Sequence, residues 1–206
     1  MAPNGLTPKQ YAGELSRDAA EAGIEALMAN AGRLARDAKI LLHARRFASA
    51  STLAAMALAE FARVSALLAL PAATGPTQTK RAWRHFRDGA FDFPWSMCCA
   101  GRPALSDAET NAMISFIRAI GEQVECIGDG AWVEPEKMIG RPLATQLVEM
   151  AELLRTHPID REPLRIWMQV VDSCPEDAAD DEVLQRFRGA LEREGLGRVA
   201  ALIPSA

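Results

Sequence analysis

The chain has 206 residues, of which 49% are hydrophobic and 24% are charged, and its formal net charge is −4. This length suits one globular domain that buries a core without disulfides or metals, and the acidic balance argues against a protein that coats nucleic acid non-specifically. Aromatic residues make up only 6% of the chain while alanine and leucine dominate its apolar fraction, which favours helix over sheet. We therefore expect an all-α protein.

The cysteines and the N-terminal residues bear on cofactors and location. Cys98, Cys99, Cys126 and Cys174 show none of the spacings of a zinc site. The opening MAPNGLTPKQ lacks the basic and apolar regions of a secretory signal. Scattered thiols without such a signal are typical of a reduced cytoplasmic protein, so we expect a cytoplasmic location and neither a metal nor another cofactor.

The first predicted helix begins at Thr7, a good N-cap residue, with Pro8 at the first helical position. Its helical periodicity continues to about residue 46, and Gly23 marks a point where an irregularity is expected. Arg36 and His43 have six residues between them in this helix. About one match of this kind is expected by chance in a chain of this composition, so the pair alone indicates nothing.

The second predicted helix covers residues 47–70 and ends where Pro71 and the segment PAATGPTQ interrupt it. It is nearly long enough to cross a bilayer, yet it carries Glu60 and Arg63. A central charge in a membrane span costs roughly 2.5–3.5 kcal/mol, so a core helix with one narrow polar seam is favoured. At this spacing the two side chains meet on one helix face, either as an ion pair that fixes the packing or as part of a site.

A short helix is predicted around KRAWRHFRD, residues 80–88. Its basic side chains spread over one side, whereas Ala82, Trp83 and Phe86 occupy the other. The basic face consists of Lys80, Arg81, Arg84, His85 and Arg87. Such a face can bind phosphates, with His85 available as a general acid or base. A solvated amphipathic helix anchored by its aromatic residues explains the same pattern.

The rest of the chain is predicted as irregular segments and four helices. GAFDFPWSMCCAGRP and GDGAWVEPEKMIGRP carry too many turn residues for regular helices, and the second reads as a loop or a strand-like crossing. Helices are expected from Ser106 or Asp107 to about residue 127, over 142–156, over 164–171, and after the acidic CPEDAADDE. We expect a single domain over 1–206, a bundle of six or seven helices with its core at about 8–156 and a helical extension at 157–206.

Several segments, in this order, resemble AbiV-type abortive-infection proteins, which belong to the HEPN-like helical group. Residues 29–68, ANAGRLARDAKILLHARRFASASTLAAMALAEFARVSALL, resemble the opening helix pair of that family. RAWRHFRDGAF at 81–91 resembles its Trp- and Arg-containing segment, and GDGAWVEP at 128–135 resembles an aromatic–acidic stretch. In the helix pair, the likeness rests on Asn30, Asp37, Ala38, Glu60 and Arg63.

The resemblance implies a HEPN-like bundle, often a homodimer, in a bacterial anti-phage protein that arrests growth or translation. Many HEPN-like proteins are metal-independent ribonucleases that use an Arg and a His with four to six residues between them. Arg81 and His85 have only three residues between them, and Asp88 and Gly89 stand where a further His is expected. The basic segment itself suggests His85, Arg81 and Arg84 as candidate catalytic residues and Lys80 and Arg87 as candidates for RNA binding. Glu60 and Arg63 are further candidates, with a structural ion pair as the alternative.

The alternative is a non-catalytic interaction protein that binds a phage or host protein through its helical surface. In that case Glu60 and Arg63 are purely structural. A small-ligand-binding bundle has only AFDFPWSM, residues 90–97, in its favour. The expected partners are RNA or the translation machinery under the first function and a phage-encoded or host protein under the alternative. No membrane partner is expected.

Overall fold

The chain opens with a helical hairpin. The structure is a computed structural model, and it describes residues 11–73, 75–89, 107–120, 125–126, 132–156, 161–175, 179–201 and 203. Helix α1 spans Arg17–His43 and helix α2 spans Phe47–Ala69, which a single 3-10 turn, Leu70–Ala72, extends. The second helix thus lies where its apolar pattern predicts it.

The start of α1 differs from the prediction. Ser16 is the N-cap, and its side-chain oxygen accepts a hydrogen bond from the backbone N–H of Ala19 at 3.2 Å. Residues 11–16 are not helical, so the expected start at Thr7 is wrong; Thr7 and Pro8 themselves lie outside the described residues. Both Thr7 and Ser16 are acceptable caps, and the local pattern did not separate them.

Small residues let α1 and α2 pack closely. A Cβ atom on Gly23 would lie 2.8 Å from Cδ1 of Leu67, so this glycine permits close approach of the helices, and α1 runs through it without a break. Both helices carry alanines that are 0% exposed: Ala31, Ala35, Ala38, Ala50, Ala54 and Ala57. Such dense alanine packing leaves little room for any larger side chain.

Helix α2 is the core helix of the bundle. Among the described residues it is the one helix whose length and composition would permit a membrane span, but 61% of its most apolar window is buried inside the fold. It contacts α1 and the helices that follow it. Its narrow outward seam carries the exposed Ser49 and Met56 and the half-buried Glu60 and Arg63. The predicted core helix with one polar seam is confirmed.

Helix α3 spans Pro76–Asp88 and packs against α2. Pro76 takes the first helical position, where its missing N–H has no helical partner to lose. The helix ends at Gly89, which adopts a left-handed φ of +57° and donates its N–H to the carbonyl of His85 at 3.0 Å. The helix expected around residues 80–88 is confirmed.

The later elements are mostly helical. A short antiparallel pair of strands, β1 (Glu125–Cys126) and β2 (Trp132–Val133), aligns Glu125 with Val133. The helix predicted to reach residue 127 is described over Asp107–Ile120, and its expected last residues are wrong because residues 125–126 pair with β2. The helices are α4 (Asp107–Ile120), α5 (Pro135–Met138), α6 (Arg141–Thr156), α7 (Arg161–Ser173), α8 (Asp180–Arg193) and α9 (Gly197–Ala200).

These elements form an all-α bundle around α2. Helix α6 packs on both α1 and α2, and α7 joins α8 to α2. The rings of Trp167 and Phe187 meet edge to face, with centroids 5.1 Å apart. Within the described ranges the chain has seven helices of 13 residues or more, and the predicted fold class is confirmed. The division into a core and a C-terminal extension stays a prediction.

Candidate functional site at the junction of α2 and α3

Glu60 and Arg63 form an ion pair on the polar seam of α2. Arg63 donates from Nη1 to Oε1 of Glu60 at 3.1 Å. The side chain of Glu60 is 17% exposed and that of Arg63 is 28% exposed. The expected meeting of these side chains is confirmed, and their partial burial makes each depend on the other, since an unpaired charge there would be poorly solvated.

Arg63 is held against the C-terminal end of α3. Its guanidinium carbon lies 5.7 Å from the centroid of the Phe86 ring, within range of a cation–π interaction. Its Nε atom is buried and has no hydrogen-bond partner in the part of the chain that the structure describes. A Cβ on Gly89 would lie 3.4 Å from that atom. Glycine at this position therefore permits both the left-handed φ at the end of α3 and the close approach of Arg63.

A second arginine meets α3 at the same end. The exposed Arg118, on α4, donates from Nη1 to the carbonyl oxygen of Asp88 at 3.2 Å. A Cβ on Gly89 would lie 3.5 Å from Nη2 of Arg118. Arg63 and Arg118 thus flank the negative end of the α3 dipole, where cations are favourable. The sequence analysis did not identify Arg118, and a lone basic residue in the last turn of a helix gives no signal for this contact.

An open cavity of about 400 Å³ lies beside the ion pair, between α1, α2 and α3. Its polar lining includes Asn30 and Glu60, and its aromatic lining includes Trp83 and Phe86. Arg33 orients Asn30 by donating from Nη2 to Oδ1 at 2.9 Å. The cavity therefore combines ring surfaces with a carboxylate and an amide, and Asn30 joins the site through packing of α1 on α2.

The basic face of α3 points outward. Lys80, Arg81, Arg84 and Arg87 are exposed and His85 is half-buried, while Ala82 and Trp83 are buried. Trp83 anchors the helix, because its Nε1–H donates to the carbonyl of Gly13 at 2.9 Å. Its ring also lies edge to face with that of Phe86, with centroids 5.5 Å apart. The predicted two-sided pattern of this helix is confirmed.

The two predicted constellations meet α3 on different sides. The Glu60–Arg63 pair contacts the helix through Phe86, whereas the exposed basic side chains form its outer surface. The pair packs against the inner side of α3, and the four cations are exposed in the part of the chain that the structure describes. Arg36 and His43 lie elsewhere, both exposed on α1 and about 10 Å apart along its axis. The functional roles assigned to these residues stay predictions.

The all-α fold agrees with the fold that the resemblance to the HEPN-like helical group implies. Residues 19–90, about a third of the chain, match the family model HEPN_AbiV, described as AbiV. Over these residues the chain is similar to AbiV, and the resemblance found in the sequence is confirmed. The matched range includes Asn30, the Glu60–Arg63 pair and all of α3. No curated protein and no solved structure gives a significant match.

Proposed function

We propose that this protein is a bacterial abortive-infection protein that arrests growth or translation by acting on RNA in the cytoplasm. The observation that carries the proposal is the exposed basic face of α3 on a chain whose net charge is −4. Four exposed cations on one short, firmly anchored helix provide a phosphate-binding surface that the acidic average conceals. The AbiV match supports the part of the proposal that concerns phage defence.

The residues of this face have distinct proposed roles. Lys80 and Arg87 contact backbone phosphates, and Arg81 and Arg84 stabilise the charge that develops on the reacting phosphate. His85 acts as the base for the 2′-hydroxyl, since its reference pKa lies near neutrality. These groups suffice in kind for RNA cleavage without a metal, and a homodimer would place two copies of the face in one assembly.

Salt-dependent RNA binding tests the proposal. Arg81→Ala/Arg84→Ala removes two exposed phosphate contacts, so we expect weaker binding and a slope of log K against log salt that is smaller by about two. The matched control is Arg186→Ala/Arg188→Ala on α8, where both arginines already pair with glutamates. Fluorescence anisotropy with a single-stranded RNA measures the affinity and the salt slope of each variant. An unchanged affinity and slope in the α3 variant would contradict the proposal.

A specific observation also favours the alternative function, a non-catalytic protein that binds a phage or host protein. Several large apolar side chains of the described residues are exposed by 40% or more: Ile40, Met56, Phe116 and Met138. Exposed side chains of this kind occur at protein interfaces. The alternative predicts no RNA binding by the wild type even at low salt, so the same titration separates the two functions.

A further inference from the structure

The turn between α1 and α2 contains an unusual backbone conformation. Arg45 donates its N–H to the carbonyl of Leu42 at 3.0 Å, and Arg46 donates to that of Leu41 at 2.9 Å. This pair of hydrogen bonds is the Schellman motif, which ends a helix with one residue in the left-handed region. That residue is Arg45, with φ of +58°, and it is the sole non-glycine with positive φ among the described residues.

Helix α8 ends in the same motif, but there a glycine occupies the left-handed position. Gly195 donates its N–H to the carbonyl of Glu192 at 3.2 Å, and Leu196 donates to that of Leu191 at 2.8 Å. Gly195 has φ of +78°. Glycine has no Cβ and reaches this region without a steric penalty, whereas arginine does not. The chain thus keeps an arginine at a position where its own fold uses glycine elsewhere.

Basic residues cluster at this turn. His43, Arg45 and Arg46 are exposed. Arg36 is also exposed, on the face of α1 that carries His43. We call these four residues the turn patch. Within the described ranges Arg45 and Arg46 belong to no ion pair, whereas Arg33 and Lys39 of the same helix pair with Asp37 and Glu152. The nearby carboxylate is Glu136, whose Oε2 accepts from the N–H of Ala48 at 3.5 Å.

Helix stability alone does not account for an arginine at position 45. A cation near the end of α1 interacts favourably with the helix dipole, but it does so equally well from a position with helical φ. Arg45 therefore adds exposed charge at a backbone cost that glycine would avoid. Ile40, which is 65% exposed beside the patch, offers an apolar surface next to that charge.

We propose that the turn patch is a second binding surface for the phosphate backbone of RNA. It lies at the start of α2, about 20 Å along that helix from the Glu60–Arg63 pair that supports α3. Arg36, Arg45 and Arg46 contact phosphates, and Ile40 packs against a ribose or base. The proposal deepens the proposed function, on which its choice of RNA rests.

The test uses Arg45→Gly in the full chain. This substitution relieves the backbone strain at position 45, which should raise stability, and removes one positive charge, which should weaken RNA binding. Relief of the left-handed strain exceeds the entropy that glycine adds to the unfolded chain, so we expect Tm to rise by about 1–3 °C. Loss of one phosphate contact weakens binding of a single-stranded RNA roughly threefold to tenfold and lowers the salt slope by about one. Arg45→Lys should bind like the wild type, and so should the control Arg193→Ala in the last turn of α8.

The outcomes separate this inference from the proposed function. A raised Tm with unchanged RNA affinity in Arg45→Gly would overturn the turn patch. If the α3 variant keeps its affinity while Arg45→Gly loses it, the role proposed for the α3 surface is overturned and the turn patch stands. If the α3 variant loses affinity while Arg45→Gly keeps it, only the α3 surface is retained. A wild type that binds no RNA would overturn both the α3 surface and the turn patch.

Discussion

At the scale of single residues, the Glu60–Arg63 pair links the core helix to α3. Arg63 donates a hydrogen bond to Glu60, and its guanidinium faces the Phe86 ring. Its buried Nε atom lies close to Gly89. Each charge is partly withdrawn from water, so neither is well solvated without the other. The pair therefore has a structural role whatever its part in chemistry, because it fixes where the C-terminal end of α3 sits on α2.

This role predicts a loss of stability on Glu60→Gln. The amide keeps the shape of the carboxylate but leaves Arg63 without its counter-charge, so we expect the free energy of unfolding to fall by about 1–2 kcal/mol. Urea denaturation followed by circular dichroism measures this change. The control is Glu182→Gln, since Glu182 and Arg186 form an exposed pair for which less than about 0.5 kcal/mol is expected. Equal effects in both variants would contradict the structural role.

The sequence predicted part of this residue-scale picture. The i,i+3 spacing of Glu60 and Arg63 is a local signal, and it predicted their contact correctly. The contacts of Arg63 with Phe86 and of Arg118 with Asp88 join residues far apart in the chain. Asn30 reaches the cavity beside Glu60 only because alanine packing brings α1 close to α2. Such contacts depend on tertiary packing, which one sequence does not specify.

At the scale of elements, a half-buried carboxylate links α6 to α1. Glu152 is 15% exposed and accepts hydrogen bonds from Arg155 at 2.7 Å and from Lys39 at 3.0 Å. The hydrogen bond from Arg155, aided by that from Lys39 and opposed by desolvation, lowers the pKa of Glu152 to about 2. The charged form is thus favoured in the folded protein, and folding is linked to the ionisation of this group.

This linkage predicts a pH-dependent contribution to stability. A carboxylate with a lowered pKa stabilises the fold fully above its unfolded value of 4.5, and the effect is lost as pH falls towards 2. Glu152→Gln should therefore unfold more easily than the wild type at pH 6, by about 1–3 kcal/mol. The difference should shrink steadily between pH 4.5 and pH 2.

Thermal unfolding of the wild type and the Glu152→Gln variant across this pH range measures the effect. Glu21→Gln is the control, because Glu21 pairs with Arg17 on the exposed side of α1 and should contribute little. A stability difference that does not change with pH would contradict the linkage. So would a control variant that behaves like Glu152→Gln.

The helices could be predicted wherever the signals are local. The apolar pattern of α2 and the amphipathic pattern of residues 80–88 predicted those two helices, although α3 begins at Pro76, inside the segment PAATGPTQ that was expected to interrupt the helices. The start of α1 was wrong because Thr7 and Ser16 offer equivalent caps. The strand at 125–126 was missed because it exists only through pairing with residues 132–133, and the turn at Arg45 was missed because arginine gives no sequence signal for positive φ.

At the scale of the whole molecule, charge is unevenly distributed. The chain is acidic on average, yet the basic face of α3 and the turn patch present exposed cations. Both surfaces lie within the range that matches the AbiV family, residues 19–90. The exposed positive charge of these two surfaces, on a hairpin and its neighbouring helix, is the physical basis of the proposal that this protein acts on RNA.

The most direct test is cleavage of RNA by the purified protein in EDTA, beside His85→Ala and the control Arg186→Ala, whose side chain pairs with Glu182 on α8. We expect metal-independent cleavage by the wild type and by Arg186→Ala, and its loss in His85→Ala, because His85 supplies the base for the 2′-hydroxyl. Cleavage that survives in His85→Ala, or its absence in a wild type that binds the RNA, would contradict the account.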